Sequence, residues 1–322
     1  MTLPDAHDNQ PAAAQAHVLR ADNEGVLANA RLPVLVVNAA RVRDVRRLRR
    51  ACEQAAAASG WRYPLVLATT PDDTGSGMTR RALEVGAGLV IAAGGDGTVR
   101  ACAEVLAHTG VPLAIVPAGS ANLTANALGL PARAEAALRL AFCGRDRQID
   151  LAVAEGMTFV AMAGMGLDAA VVGATPRAVK RAAGWSAYAA AATGQLLRPP
   201  ATFALRLDGG DLMIRQARSI TVGNSGALPG GFLIMPAAQQ DDGLLDVLIL
   251  SPSGALGWAN VGYRVLIRSR RDDCQLERYR ARTVHVSADA DLPRQVDGEL
   301  ITPGRSLTVS VRPGALRVRV AA

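Results

Sequence analysis

From Leu32 to about Ala141, short continuous apolar runs alternate with longer Ala- and Arg-rich stretches whose apolar residues recur at helical spacing. The runs Leu32 to Val37, Leu65 to Ala68, Leu89 to Ala93 and Leu113 to Val116 predict strands buried on both faces, as a parallel sheet covered by helices requires. Between them, Val42 to Ser59 predicts a helix closed by Gly60, and Thr98 to His108 a second one stopped by Gly110 and Pro112. Beyond about Arg147 the pattern changes to alternation: Thr283 to Ser287 (TVHVS), Leu307 to Val311 (LTVSV) and Leu316 to Val320 (LRVRV) predict an antiparallel sheet. Pro176 to Leu197 predicts one Ala-rich amphipathic helix ended by Pro199 and Pro200. The expected organisation is a disordered tail over residues 1–30, an α/β domain over 31–146 and a β-rich domain over 147–322.

A length of 322 residues agrees with two domains. No stretch stays apolar for the roughly 18 residues a membrane span needs, and the first 30 residues carry Asp5, His7 and Asp8 instead of a basic start and an apolar run, so a soluble chain is expected. Cys52, Cys102, Cys143 and Cys274 lie far apart, in neither a metal pair nor a disulfide framework, and point to a reducing cytoplasm. The net charge of +7 fits an anionic membrane surface, phosphorylated ligands or nucleic acid. With aromatic residues at 3%, the stacking platforms of single-strand binders are largely missing, and no nucleic-acid partner is expected. The Arg-rich run from Arg41 to Arg50 reads first as a solvated helix face and second as an attraction for anionic lipid. Lys180 is the only lysine and has no G-x-x-x-x-G-K-[ST] motif around it.

The strongest chemical signal is Ile91 to Val99, IAAGGDGTV, an apolar strand running into a glycine turn that opens a helix. Gly94, Gly95 and Gly97 allow positive φ and clear the backbone N–H groups for an anion, and Thr98 lies at the helix N-terminus where phosphate is favoured. Asp96 among phosphates would bind Mg²⁺ or accept a proton from an attacking hydroxyl. A tight turn capped by Asp or Thr is the plainer alternative. A second strand, turn and helix follows in PLAIVPAGSANLTANALGLP, residues 112–131, where Gly119 offers bare backbone, Ser120 a hydroxyl and Asn122 an amide. Taken alone, Ser120 and Asn122 read as helix caps. Two such loops at adjacent strand ends make a nucleotide crevice.

With these two motifs the chain resembles the diacylglycerol kinase catalytic-domain family, which includes bacterial lipid kinases and the sphingosine and ceramide kinases. GGDGT at Gly94 to Thr98, a motif shared with NAD kinases, and PAGSANLTANALGLP carry the resemblance, with GMGLDA at Gly164 to Ala169, QQDDGLLDV at Gln239 to Val247 and VDGE at Val296 to Glu299. It implies a doubly wound α/β nucleotide-binding domain followed by an antiparallel β-sandwich. The implied activity is transfer of the γ-phosphate of ATP, with Mg²⁺, to a hydroxyl of a diacylglycerol-like or sphingoid lipid at a membrane surface. The enzyme would then be cytoplasmic and peripherally membrane-associated, with a homodimer left open. Glu299 matches the family's proposed base, although Asp297-Gly298 by itself reads as a hairpin turn. Asp242, with the backbone carbonyls of Gln239 and Leu244, matches a structural Mg²⁺ site; a plain turn into the strand Leu244 to Leu250 is the alternative. Asp168 and Lys180 match an acid and a lysine coupled through water, with a surface salt bridge as the alternative. Nucleotide contacts map onto Asn38 and Thr70 besides the two loops. The chain departs from the family at Ala39, at Arg100-Ala101, where many members carry Asn-Glu, and at Leu123. Competing readings are a kinase of a soluble nucleotide such as NAD and a nucleotide-binding membrane protein without catalysis.

Overall fold

The computed structural model describes residues 32–174, 199–226 and 234–321. In the first half, strands β1 (Pro33–Val37), β2 (Leu65–Ala68), β3 (Leu89–Gly94) and β4 (Leu113–Pro117) form a parallel sheet in the order β2-β1-β3-β4. Helices α1 (Val45–Ala58), α2 (Ser76–Glu84), α3 (Asp96–Leu106), the short α4 (Leu123–Ala127) and α5 (Ala134–Cys143) follow the strands in turn.

The continuous apolar runs are explained by burial on two faces. Val34, Val36, Val90 and Ala92 pack under Ala82 of α2 and Val99, Cys102 and Leu106 of α3. Leu35, Val37, Leu89 and Ile91 pack on the other side under Leu48, Cys52 and Ala56 of α1 and Leu138 and Phe142 of α5. Each fully buried Val, Leu or Ile contributes about 1.5–3 kcal/mol relative to exposure. α1 begins at Asp44, whose carboxylate accepts from the Arg47 N–H at 2.9 Å. It ends before Gly60, which takes a φ of 69°. Its arginines face solvent, Arg47 pairing with Glu135 and Arg49 with Glu53, so the run is a solvated face. β2 differs from expectation: it is an edge strand with Leu65 36% exposed, paired to β1 alone.

The second half contains β5 (Arg145–Ala154), β6 (Met157–Phe159), β7 (Met162–Gly166), α6 (Leu167–Ala174), β8 (Ala201–Leu207), β9 (Met213–Ala217), β10 (Ser219–Gly223), β11 (Leu245–Leu250), α7 (Gly254–Leu266), β12 (Leu276–Ala281), β13 (Thr283–Val296) and β14 (Glu299–Val320). β13 pairs first with β8 and, after register shifts between Ser287 and Arg294, with β7. A long strand that changes partner through a bulge is how a sandwich turns its corner. Phe159, Met165, Phe203, Leu205, Ile220, Val247 and Leu307 fill the space between its layers.

The alternating runs Leu307 to Val311 and Leu316 to Val320 are not two strands but parts of the single β14, with an irregularity between Arg312 and Leu316. There Gly314, at φ 57°, donates its N–H to Asp150 Oδ1 at 2.7 Å. β14 then reaches the first half, where Val318 pairs in parallel with Leu113 of β4. Leu316, Val318 and Val320 belong to the core under α2 and α3. The sheet is therefore continuous through both halves, and the expected boundary between residues 146 and 147 lies inside β5. Lys180 and the expected helix Pro176 to Leu197 lie outside the described residues. Among the described residues no helix is long and apolar enough to cross a membrane, and the four cysteines are unpaired.

Candidate active site at the meeting of the two glycine loops

β1, β3 and β4 end on the same edge of the parallel sheet, which brings Asn38, the β3–α3 loop and the β4–α4 loop together. α3 starts at Asp96, two residues earlier than periodicity predicts, with Gly95 as its N-cap. An acid in the first turn is favoured by the helix dipole. None of Gly94, Gly95 and Gly97 has positive φ; at Gly94 it is space that requires glycine. A Cβ on Gly94 would lie 2.7 Å from Thr98 Cβ, and one on Gly97 3.0 Å from Glu299 Oε1. A Cβ on Gly119 would lie 2.7 Å from Gly95 Cα, so the two loops touch backbone to backbone.

Around this contact the side chains have distinct tasks. Thr98 is buried, and its hydroxyl accepts from Asn38 Nδ2 at 3.1 Å, tying β1 to the loop. Asn122, in the left-handed region at φ 48°, makes no cap hydrogen bond. It braces Gly119 instead, Oδ1 accepting from the Gly119 N–H at 2.8 Å and Nδ2 donating to the Gly119 carbonyl at 3.0 Å. The backbone N–H of Gly119 is thus occupied rather than bare. Ser120 is exposed beside it. Thr70 is also exposed; its hydroxyl accepts from the Asp73 N–H at 3.1 Å, and Asp73 in turn receives N–H groups at the start of α2.

The carboxylates are concentrated where burial works against their charge. Burial pushes the Asp96 carboxyl up to about 6, and the nearby Asp297 carboxylate adds to the push; the N–H groups of Thr124, Leu123 and Asn122 at the start of α4 pull the other way. Asp96 therefore joins the two loops. Asp297 and Gly298, at φ 48° and 76°, form the two-residue turn between β13 and β14, the primed geometry that Asp-Gly favours. Yet the Asp297 side chain is buried and accepts the N–H groups of Val160, Ala161 and Met162 at 2.9–3.1 Å. Burial raises its pKa; those N–H groups and Arg100 oppose the rise. Reading Asp-Gly as a turn alone missed this acid, because its N–H partners Val160 to Met162 lie more than 130 residues away in sequence.

The hairpin delivers Glu299, whose Oε2 accepts from Arg100 Nη2 at 2.5 Å; the Glu299 side chain is 54% exposed and Arg100 16%. Arg100 also reaches the Val296 carbonyl at 3.4 Å. The departure at Arg100 thus contacts the candidate base directly.

Asp168 is half-buried, with Ser219, Thr221 and Gln295 donating to it at 3.1, 3.4 and 3.2 Å. Burial pushes its carboxyl up, and those donors with the Ala169 N–H oppose the push. A Cβ on Gly164 would lie 1.7 Å from Asp168 Oδ2, which explains that glycine in GMGLDA. A small cleft lined by Gly166, Leu167, Ala170, Pro199, Leu292 and the charged Arg218 opens near it.

The residues expected to hold a metal in the second half lie at the turn before β11. Asp242 Oδ1 accepts from the Leu244 N–H at 3.1 Å, and Oδ2 lies 3.4 Å from Arg280 Nη1. Gln239 is exposed. Among the described residues no cluster of three or more His, Cys, Asp or Glu could hold a metal ion. Arg280 is shared between Asp242 and Asp246, 3.4 and 3.3 Å away, so a single guanidinium faces two carboxylates at this turn.

Residues 33–154 match the diacylglycerol kinase catalytic domain, and residues 161–320 match the YegS C-terminal NAD kinase β-sandwich-like domain. A "probable lipid kinase YegS-like" of Pseudomonas fluorescens is 32% identical over 84% of this chain and 90% of its own. Another of the same description from Pseudomonas aeruginosa is 34% identical over 80% and 84%. Among solved structures, a diacylglycerol kinase from Bacillus anthracis superposes with a TM-score of 0.67 at 21% identity, covering 90% of this chain and 97% of that one. An NAD kinase from Archaeoglobus fulgidus in complex with ATP reaches 0.50 at 12% identity, covering 89% and 93%. Both share the fold.

Proposed function

The chain belongs to the diacylglycerol kinase catalytic-domain family, and from that premise we propose that it is an ATP-dependent lipid kinase. The observation that carries this reading is the approach of Glu299 to the first glycine loop, 3.0 Å from where a Cβ of Gly97 would be. A carboxylate held there reaches the mouth of a phosphate crevice.

The triphosphate lies across the two loops, met by the backbone N–H groups that the first turn of α3 leaves without intrahelical partners. Asn38 and Thr98 hold the loop's shape, and Ser120 offers a hydroxyl. Asp96 would be the acid to hold a Mg²⁺ bound with the nucleotide, and that ion would supply neutralisation of phosphate charge. Glu299 takes the proton of the lipid hydroxyl. The hydroxyl oxygen bonds to the γ-phosphorus as the bond from that phosphorus to the β–γ bridging oxygen breaks, and ADP leaves. The acceptor is a lipid of diacylglycerol or sphingoid class, its hydroxyl presented to Glu299. Association with the membrane is then peripheral, from the cytoplasmic side.

The test is transfer of labelled γ-phosphate from ATP with Mg²⁺ to diacylglycerol, ceramide, sphingosine and NAD in mixed micelles. Labelled lipid is expected. Labelled NAD alone would assign the chain to soluble-nucleotide kinases, and nucleotide binding without transfer to any acceptor would make it a non-catalytic nucleotide binder.

A further inference from the structure

A surface helix ordinarily shows one apolar stripe and a polar back. α7 shows two apolar faces. Gly257 and Val261 face the protein, and Val261 packs with Met235, Leu248 and Leu276. On the opposite side, Leu256, Tyr263 and Leu266, with Ile267 just past the helix end, are 87, 61, 72 and 52% exposed. At about 100° per residue these four fall within roughly a third of the helix circumference. Folding alone gives no reason to hold such a stripe in water.

The chain leaving the helix carries Arg268, Arg270 and Arg271, all exposed. Among the described residues none of the three side chains enters an ion pair. The acids nearby are already matched, Asp272 by Arg278 at 2.9 Å and Asp273 by Arg264 at 3.0 Å. Leucines and a tyrosine beside unmatched arginines complement one kind of partner, an apolar interior under an anionic surface. A nucleic acid would use the cations and leave the leucines wet. A second copy could cover the leucines, but the nearby acids are already paired and would leave its arginines without partners.

We propose that α7 and the arginine run after it form the surface by which this protein lies on an anionic phospholipid bilayer. Leu256, Leu266 and Ile267 enter the acyl boundary, Tyr263 stays at headgroup level and the arginines meet lipid phosphates. The purpose of the contact, access to a lipid acceptor, rests on the kinase reading; the contact itself does not.

Flotation of the full-length chain with vesicles tests it. Wild type is expected to float with phosphatidylcholine–phosphatidylglycerol vesicles and to stay behind with phosphatidylcholine alone. Leu256→Glu with Leu266→Glu lowers the partition coefficient by at least about tenfold, with ATP binding and circular dichroism unchanged. Arg268→Gln, Arg270→Gln and Arg271→Gln together weaken it by about fivefold per arginine and flatten its salt dependence. A double glutamate variant that floats like wild type overturns the proposal, as does one that merely converts a stable dimer into monomers in sedimentation. In an activity arm, the same variant loses phosphorylation of diacylglycerol in vesicles but keeps it in detergent micelles. If wild type labels no lipid in either format while flotation still depends on the leucines, the kinase reading fails and the docking surface stands.

Discussion

Arg100 Nη2 donates to Glu299 Oε2 across 2.5 Å, joining α3 to the first residue of β14 over 199 positions of sequence. A half-exposed pair of this kind adds little to stability, on the order of 0–1 kcal/mol, so its value lies in orienting a carboxylate beside the glycine loop.

Glu299→Gln is therefore expected to lower kcat by about 10²–10⁴-fold, the range for loss of a general base, with nucleotide affinity nearly unchanged. Arg100→Ala is expected to lower kcat by roughly tenfold with little change in Tm, and Arg100→Lys to restore part of it. Steady-state kinetics with calorimetric ATP titration checks both. Parallel loss of nucleotide binding in Glu299→Gln would instead reveal a folding defect.

Gly119→Ala introduces a Cβ 2.7 Å from Gly95 Cα. Backbone meets it on the far side, so the loops must part, at a cost of about 1–3 kcal/mol. Binding of ATP is expected to weaken by at least about tenfold. Ser120→Ala, at an exposed position, leaves Tm unchanged.

Asp96 titrates near 6 in the folded chain against 3.8 for the ordinary group. An acid whose folded pKa is raised keeps its proton while the unfolded chain loses its own, so its contribution to stability is whole below about pH 3.8 and is lost as pH climbs through 6. The loss is on the order of 3 kcal/mol. Asp96→Asn should become progressively more stable relative to wild type between pH 4 and 7, measured by urea unfolding. A difference independent of pH would show that Asp96 is not the group that titrates.

Leu316→Ala removes a fully buried side chain that β14 contributes to the core of the first half. We expect a loss of about 2–5 kcal/mol and a single cooperative transition by both circular dichroism and tryptophan fluorescence. Two separate transitions would contradict the continuity of the sheet.

Much of the first half could be read from sequence, because its elements are local. An apolar run buried on two faces marks a strand such as Leu89–Gly94 by itself, and a glycine turn followed by helix periodicity marks where anions can meet backbone. The same locality made GGDGT and PAGSAN visible, and with them the family. What sequence could not convey was which groups meet across long separations. The pairing of Val318 with Leu113, the contact of Gly95 with Gly119 and the junction of Arg100 with Glu299 are each decided by how the two halves close on one another. Asp297 is the clearest case. Its dipeptide announces a turn, but only the packed sandwich decides that its carboxylate points inward onto three backbone N–H groups, where burial and hydrogen bonding oppose each other.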